Sequence, residues 1–154
     1  YHSKSNSIYL IGGCNISRQS VETVERYDIE NDQFHTLAPL PVPSYSSGIC
    51  LDEDNGQIYI FGGFNSETNQ CLSIVQRYNI NSNQWEVLSN QSSLLPKPMT
   101  MSGNSTIFDY NNDSVLLLGG NNPLTKESID QIFLFNLKTL TWNLNHKIPT
   151  YLNQ

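Results

Sequence analysis

The side chains of this chain that could carry out acid–base, nucleophilic or metal chemistry are few and widely spaced. They are the histidines His2, His35 and His146 and the cysteines Cys14, Cys50 and Cys71. No two histidines have the spacing of metal ligands, and three cysteines at irregular intervals match neither a zinc site nor a disulfide framework. A hydrolase or transferase would need a nucleophile beside a base, or paired carboxylates in one cleft. We therefore predict no catalytic site, no metal and no cofactor, and we expect reduced thiols in a cytoplasmic protein.

The composition argues against two further classes of partner. Charged residues make up 14% of the 154 residues and the formal net charge is −6, whereas an average domain has roughly 25% charged residues. The lysines and arginines are scattered, so no basic stripe could neutralise a run of phosphates. No apolar stretch is long enough to cross a bilayer. The sequence predicts neither a nucleic-acid partner nor a membrane partner.

Three segments of the sequence share one pattern. Each is an apolar, β-prone run that ends in two glycines, and these are Gly12 and Gly13, Gly62 and Gly63, and Gly119 and Gly120. Each pair is followed 14 or 15 residues later by an aromatic residue, and seven residues after that by a second one. The aromatic pairs are Tyr27 with Phe34, Tyr78 with Trp85, and Phe135 with Trp142. Recurrence at a period of about 50 residues indicates a repeat protein.

Each repeat predicts short antiparallel strands joined by turns rich in Asn, Asp and Gly. The second repeat has four, at 47–52, 57–63, 73–80 and 84–89. The third has four, at 102–109, 115–120, 129–137 and 141–145, whereas the first lacks its opening strand. The glycine-terminated strands are apolar at nearly every position, so both faces of each sheet must be covered.

A four-stranded sheet covered on both sides by copies of itself is a β-propeller blade. We predict an all-β chain that forms an arc of three blades within one segment, 1–154. The blades are 8–38, which is partial, 46–89 and 102–145, and 146–154 leads into a further blade. The glycine pairs are expected near the crowded hub, and the aromatic pairs are expected between neighbouring blades.

The strings IYLIGG, IYIFGG and VLLLGG, each followed by its aromatic pair, resemble kelch repeats. The resemblance covers residues 8 to about 145. Phe34 stands where tryptophan is usual and Phe135 where tyrosine is usual, and both keep the bulk and apolarity of the position. Because propellers close with roughly four to eight blades, three blades predict part of a larger propeller, completed by the remaining blades of the same protein.

The longer and more divergent loops fall on one face of the predicted arc, where binding residues are usually found. The resemblance implies that this face binds partner proteins or peptides. The candidate contact residues are Arg18, Ser44, Tyr45, Asn65, Lys97, Thr100 and Lys126. For the basic residues the alternative is an ordinary solvated charge, and for Tyr45 it is packing against its own loop. Arg26 and Arg77 recur at one repeat position, which favours a structural role for both.

The predicted function is a non-enzymatic protein–protein interaction module, a kelch-type scaffold or a substrate-recruiting propeller. The resemblance implies ubiquitin-ligase or actin-associated partners. The alternative is a fragment of a kelch-like propeller enzyme, an oxidase or a sugar-modifying type, with catalytic residues outside this segment. The copper site of kelch-like oxidases would need a crosslinked cysteine with two histidines, and no histidine accompanies Cys14 or Cys71 on their loops.

Overall fold

The computed structural model describes the backbone of residues 1–101 and 105–147, which is all-β apart from one 3-10 turn at Ser3–Ser5. Most of the predicted lead-in at 146–154 lies outside the described residues. In that described part, no helix is long and apolar enough to span a bilayer.

The first sheet has three antiparallel strands, which confirms that this repeat lacks its opening strand. They are β1 (Ser7–Ile11), β2 (Val24–Asp28) and β3 (Gln33–Thr36). Tyr9 pairs with Arg26, and Arg26 pairs with His35. These three side chains therefore lie on one face of the sheet, because paired residues share a face.

The second sheet has the four predicted strands in chain order. It contains β4 (Gly48–Asp52), β5 (Gln57–Phe61), β8 (Val75–Asn79) and β9 (Gln84–Leu88). Between β5 and β8, the segment predicted as a loop forms a small hairpin of β6 (Phe64–Asn65) and β7 (Gln70–Cys71). Two-residue strands lie below the length at which alternation of apolar residues can be recognised in a sequence.

The third sheet repeats this arrangement. Its four long strands are β10 (Thr106–Asp109), β11 (Ser114–Leu118), β14 (Gln131–Asn136) and β15 (Thr141–Lys147). A second small hairpin, β12 (Asn121–Asn122) with β13 (Glu127–Ser128), follows the third glycine pair. The all-β class and the four-stranded antiparallel sheets are thus confirmed.

Neighbouring sheets pack face to face and bury two apolar clusters. The cluster between the first and second blades contains Val24, Leu40, Ile58, Ile60 and Tyr78. The larger cluster, between the second and third blades, includes Phe61, Met99, Leu117 and Phe135, which are all fully buried. Burying one such side chain contributes roughly 1.5–3 kcal/mol, so these interfaces supply most of the apolar burial in the arc.

Among the described residues, the middle blade is packed on both faces and the first blade on one face. Four of the five residues of β5 are buried, whereas β1 leaves Ile8 and Leu10 40% and 47% exposed. Phe34 is 62% exposed on the same side, where no sheet of the described chain packs. The full coverage predicted for every glycine-terminated strand therefore applies to β5 and not to β1.

The three aromatic pairs have one geometry. Their ring centroids are 4.8 Å apart for Tyr27 and Phe34, 4.9 Å for Tyr78 and Trp85, and 4.7 Å for Phe135 and Trp142. Trp142 also contacts Phe61 of the second blade, with centroids 5.8 Å apart. In the second and third blades, these rings wedge against the preceding blade as predicted.

The glycine pairs approach another backbone closely, and that backbone is the linker to the next blade rather than a neighbour at the hub. The Gly13 N–H donates to the Ser44 carbonyl at 2.9 Å, and the Gly63 N–H donates to the Met99 carbonyl at 2.8 Å. A Cβ on Gly63 would lie 2.1 Å from Ser47 Oγ. Across the blade boundary, the strands in contact are the opening strands β4 and β10.

Candidate functional site: an apolar cleft on the loop face

The loops that follow the glycine pairs and the linkers between blades form one face of the arc, here called the loop face. Hydrogen bonds tie the loops of successive blades together. Ser20 N–H donates to Ser66 Oγ at 2.7 Å, and Ser66 N–H donates to Ser20 Oγ at 2.9 Å. The Cys71 thiol donates to Asn122 Oδ1 at 3.4 Å. The loop face is therefore a connected surface rather than three independent loops.

One asparagine in each loop fixes its shape. Asn65 Oδ1 accepts the backbone N–H groups of Glu67 and Thr68, both at 2.9 Å. Asn15 and Asn122 accept two backbone N–H groups each in their own loops. Asparagine favours such turns because its short side chain mimics a backbone acceptor. The sequence carries this signal, an Asn two positions after each glycine pair, and our sequence analysis did not use it.

A cleft of about 400 Å³ opens on the loop face between the second and third blades. Its apolar lining consists of Tyr45, Phe64, Met101, Pro123 and Leu124. The rings of Tyr45 and Phe64 lie 5.5 Å apart, and the side chain of Leu124 is 50% exposed. A concave apolar surface with few polar groups is the usual form of a binding site.

Two equivalent backbone bridges build the walls of the cleft. Tyr45 pairs with Phe64 in the second blade, and Thr100 pairs with Asn121 in the third. Thr100 Oγ1 also donates to Asn121 Oδ1 at 2.6 Å. Because these bridges already fix the walls, the cleft would lose little conformational entropy when a partner binds.

The structure divides the seven candidate residues into four groups. Ser44, Asn65 and Thr100 are at most 7% exposed and hold loops in place. Lys97 forms an ion pair with Glu127 at 2.5 Å. Tyr45 lines the cleft, while Arg18 and Lys126 are exposed in two different loops, each with a left-handed backbone conformation.

Sequence reasoning missed four of the five apolar residues of the cleft, which are Phe64, Met101, Pro123 and Leu124. Phe64, Met101 and Leu124 meet there only because two blades and a linker converge. Phe64 follows a glycine pair directly, and Leu124 follows a proline, so both have the local appearance of loop residues. No short-range pattern brings them together.

The cysteines near this region are not set up as nucleophiles. Burial raises the pKa of the Cys50 thiol to about 12, so it stays protonated at neutral pH. Burial also raises the pKa of Cys71. Among the side chains described, those of residues 1–101 and 105–143, no three from His, Cys, Asp or Glu lie close enough together to hold a metal ion. The cleft therefore offers apolar contact and a few hydrogen bonds.

The fold and the loop face together define a propeller-type repeat protein. The KLHDC2/KLHL20/DRC7 Kelch-repeats domain matches residues 2–151, and the chain belongs to this kelch-repeat family. Kelch membership supports a protein-interaction scaffold in general terms.

Relatives and a solved structure agree with this assignment. A kelch repeat-containing protein of Dictyostelium discoideum is 49% identical over 171 residues, which cover 100% of this chain and 26% of the relative. Kelch-like protein 26 of Danio rerio is 39% identical over 87 residues, covering 54% of this chain and 14% of the relative. The solved structure titled "Structure of YjhT" matches 94% of this chain and 49% of its own, with a TM-score of 0.69 and 18% identity. The chain thus spans about a quarter or less of the curated relatives it matches.

Proposed function

We propose that this chain is the protein-binding segment of a larger kelch propeller and that its partner docks on the loop face, at the cleft between the second and third blades. The single observation that carries the proposal is the apolar cleft lined by Tyr45, Phe64 and Leu124. An exposed leucine beside half-buried aromatic side chains in a concave surface is the kind of feature that anchors partner side chains at interfaces.

The charges around the cleft suit a partner that inserts an apolar side chain. Lys97 is neutralised by Glu127, and Lys126 is the exposed cation on the loop that carries Leu124. A single unpaired cation gives little attraction for an acidic peptide. The affinity would therefore come from apolar contact, and Lys126 would contribute at the rim.

Two further points extend the proposal to the whole protein. The exposed Ile8, Leu10 and Phe34 on the outer face of the first blade support continuation into a neighbouring blade.

An additional domain of the BTB or F-box kind in the same protein would support a substrate-recruiting role in a cytoplasmic ubiquitin ligase. An actin-associated scaffold is the other family role. Nothing in the described residues favours the enzyme alternative.

Affinity capture of partners with the full-length protein and its variants tests the proposal. Leu124→Asp places a charge in the cleft without removing a buried side chain, and we expect recovery of the specific partner to fall about tenfold or more. Tyr45→Ala should give a similar loss, while Glu30→Gln, on an exposed turn at the opposite face, should leave recovery unchanged. A folded Leu124→Asp variant that recovers every partner undiminished would show that the cleft is not the docking site.

A further inference from the structure

A second cleft, of about 540 Å³, lies between the first and second blades, at the turn side of the sheets rather than on the loop face. Its lining includes Arg26, Tyr9, Tyr78, Asn81, Asn83 and Lys4. This lining is more polar than that of the cleft on the loop face and shares no residue with it. Its role is therefore independent of the proposed protein-docking site.

Arg26 is unsatisfied within this cleft. Its Nε is shielded from solvent and has no hydrogen-bond partner among the described residues. No ion pair of Arg26 is formed in that part of the chain either. A buried donor without a partner is unfavourable, and more so when it is charged, so a guanidinium that turns toward an acceptor in the cleft would recover this free energy.

The repeat itself shows how the same arginine is satisfied elsewhere. Arg77 occupies the equivalent position in the second blade and forms an ion pair with its cross-strand neighbour Glu86. The cross-strand neighbour of Arg26 is His35, which supplies no negative charge. The structural role expected for both arginines thus holds for Arg77, whereas Arg26 keeps an unused guanidinium.

The acidic groups near the cleft are engaged by other residues. Glu53 accepts hydrogen bonds from the hydroxyl and the N–H of Ser3 and from the N–H of Lys4, and these bonds hold the pKa of Glu53 below its usual range. Asp54 pairs with Lys4 at 3.5 Å. Asp28, on the same strand as Arg26, accepts from the backbone and side chain of Asn31, and these bonds are the main cause of its lowered pKa, to which the positive charge of Arg26 adds the smallest contribution.

We propose that Arg26 forms a binding site for a singly charged carboxylate, provided by an acidic peptide side chain or by a small carboxylic acid. A guanidinium presents parallel N–H donors that match the two oxygens of a carboxylate. The side-chain amide nitrogens of Asn81 and Asn83 make no hydrogen bond within the described residues and can donate as well. The acidic residues Glu53 and Asp54 at the same cleft disfavour a dianionic phosphate more than a singly charged carboxylate.

Arginine Nε–H NMR signals of the full chain provide a direct test, with Arg26→Gln identifying the Arg26 signal. The probes are sodium acetate and a blocked Gly-Glu-Gly peptide, and phosphate at pH 8 is the comparison anion. We expect both carboxylates to shift the Arg26 signal in a saturable way and to leave the Arg77 signal in place. Tighter binding of the peptide would indicate a protein source, and tighter binding of acetate a small acid.

His35→Glu supplies the cross-strand acid that Arg77 already has, and it should weaken acetate binding about tenfold or more by occupying Arg26. His35→Gln is its matched neutral control and should bind as the parent chain does. An Arg26 signal that acetate does not move, equal shifts at Arg26 and Arg77, equal binding by the two His35 variants, or tighter binding of phosphate than of acetate would each overturn the proposal.

Discussion

Trp85 holds the backbone of the preceding blade's linker at Ala38. The indole Nε1–H donates to the Ala38 carbonyl at 2.9 Å, and the Ala38 N–H donates to Asn83 Oδ1, also at 2.9 Å. Asn83 Oδ1 accepts the Tyr78 hydroxyl as well, at 2.7 Å. One residue of the linker is therefore held through both its N–H and its carbonyl by a single hairpin of the second blade.

In the third blade, the equivalent tryptophan makes the same kind of hydrogen bond, but the residues beside it differ. Trp142 Nε1–H donates to the Ser93 carbonyl at 2.9 Å, 49 residues away in the sequence. Phe135 has no hydroxyl to donate, and the turn position equivalent to Asn83 is Leu140, which packs against the core. The third blade thus lacks both the hydroxyl donor of Tyr78 and the amide acceptor of Asn83. This is expected, because either group without the other would be left without a hydrogen bond.

Replacing Trp85 by phenylalanine tests the contribution of this hydrogen bond. The ring wedge remains, but the Ala38 carbonyl loses its donor, and we expect the free energy of unfolding to fall by about 1 kcal/mol. Trp142→Phe should give a similar loss because the geometry is the same. Urea denaturation measures both, and unchanged midpoints would contradict a contribution of the indole hydrogen bonds to stability.

A comparison of Gly63 with Gly13 distinguishes the effect of a positive φ angle from the effect of close approach to the linker. Both have φ of 99°, but a Cβ on Gly63 would meet Ser47 Oγ and the Tyr45 carbonyl, whereas a Cβ on Gly13 would meet no atom within 4 Å. Gly13→Ala should therefore lower the free energy of unfolding by about 1–2 kcal/mol, because only the positive φ angle is unfavourable for alanine there. Gly63→Ala should cost clearly more, because the linker must move.

Thermal or urea unfolding of the two alanine variants gives the comparison directly. If both lost the same stability, the approach of the linker to Gly63 would contribute nothing beyond its φ angle.

We expect the protein to lose stability in alkali because of Tyr78. Burial raises the pKa of its phenol from 10.0 to about 12, so the folded state disfavours the phenolate. This contribution to the free energy of unfolding is complete below pH 10 and is lost as the pH rises through about 12. Between these two pH values the folded state holds one more proton than the unfolded state. The free energy of unfolding therefore falls by about 1.4 kcal/mol per pH unit.

Tyr78→Phe removes this titration, and the third blade, with Phe135 at the equivalent position, shows that the ring fits without its hydroxyl. We expect the variant to lose less stability between pH 10 and 11 than the parent chain. Equal slopes of the unfolding free energy against pH would contradict the raised pKa of Tyr78.

Local patterns were sufficient to predict the blades, and long-range contacts explain what they missed. Apolar runs, turn residues and the recurring Tyr78–Trp85 pair lie within single repeats, so strand positions and the interblade wedge could be predicted directly from the sequence. The cleft depends on Phe64, Met101 and Leu124, which come from three separate segments. The burial of Ser44 and Asn65 could not be predicted either, because their neighbours are distant in sequence.

Hydrogen exchange of the tryptophan indoles, measured by NMR on this chain, tests most directly whether successive blades pack as described. Phe34→Trp provides the reference, because Phe34 occupies the equivalent position in the first blade and faces no linker of the described chain. We expect the indole N–H groups of Trp85 and Trp142 to exchange much more slowly than the indole N–H introduced at position 34. Exchange of all three at the same rate would contradict the interblade contact on which the fold, the cleft and the proposed function depend.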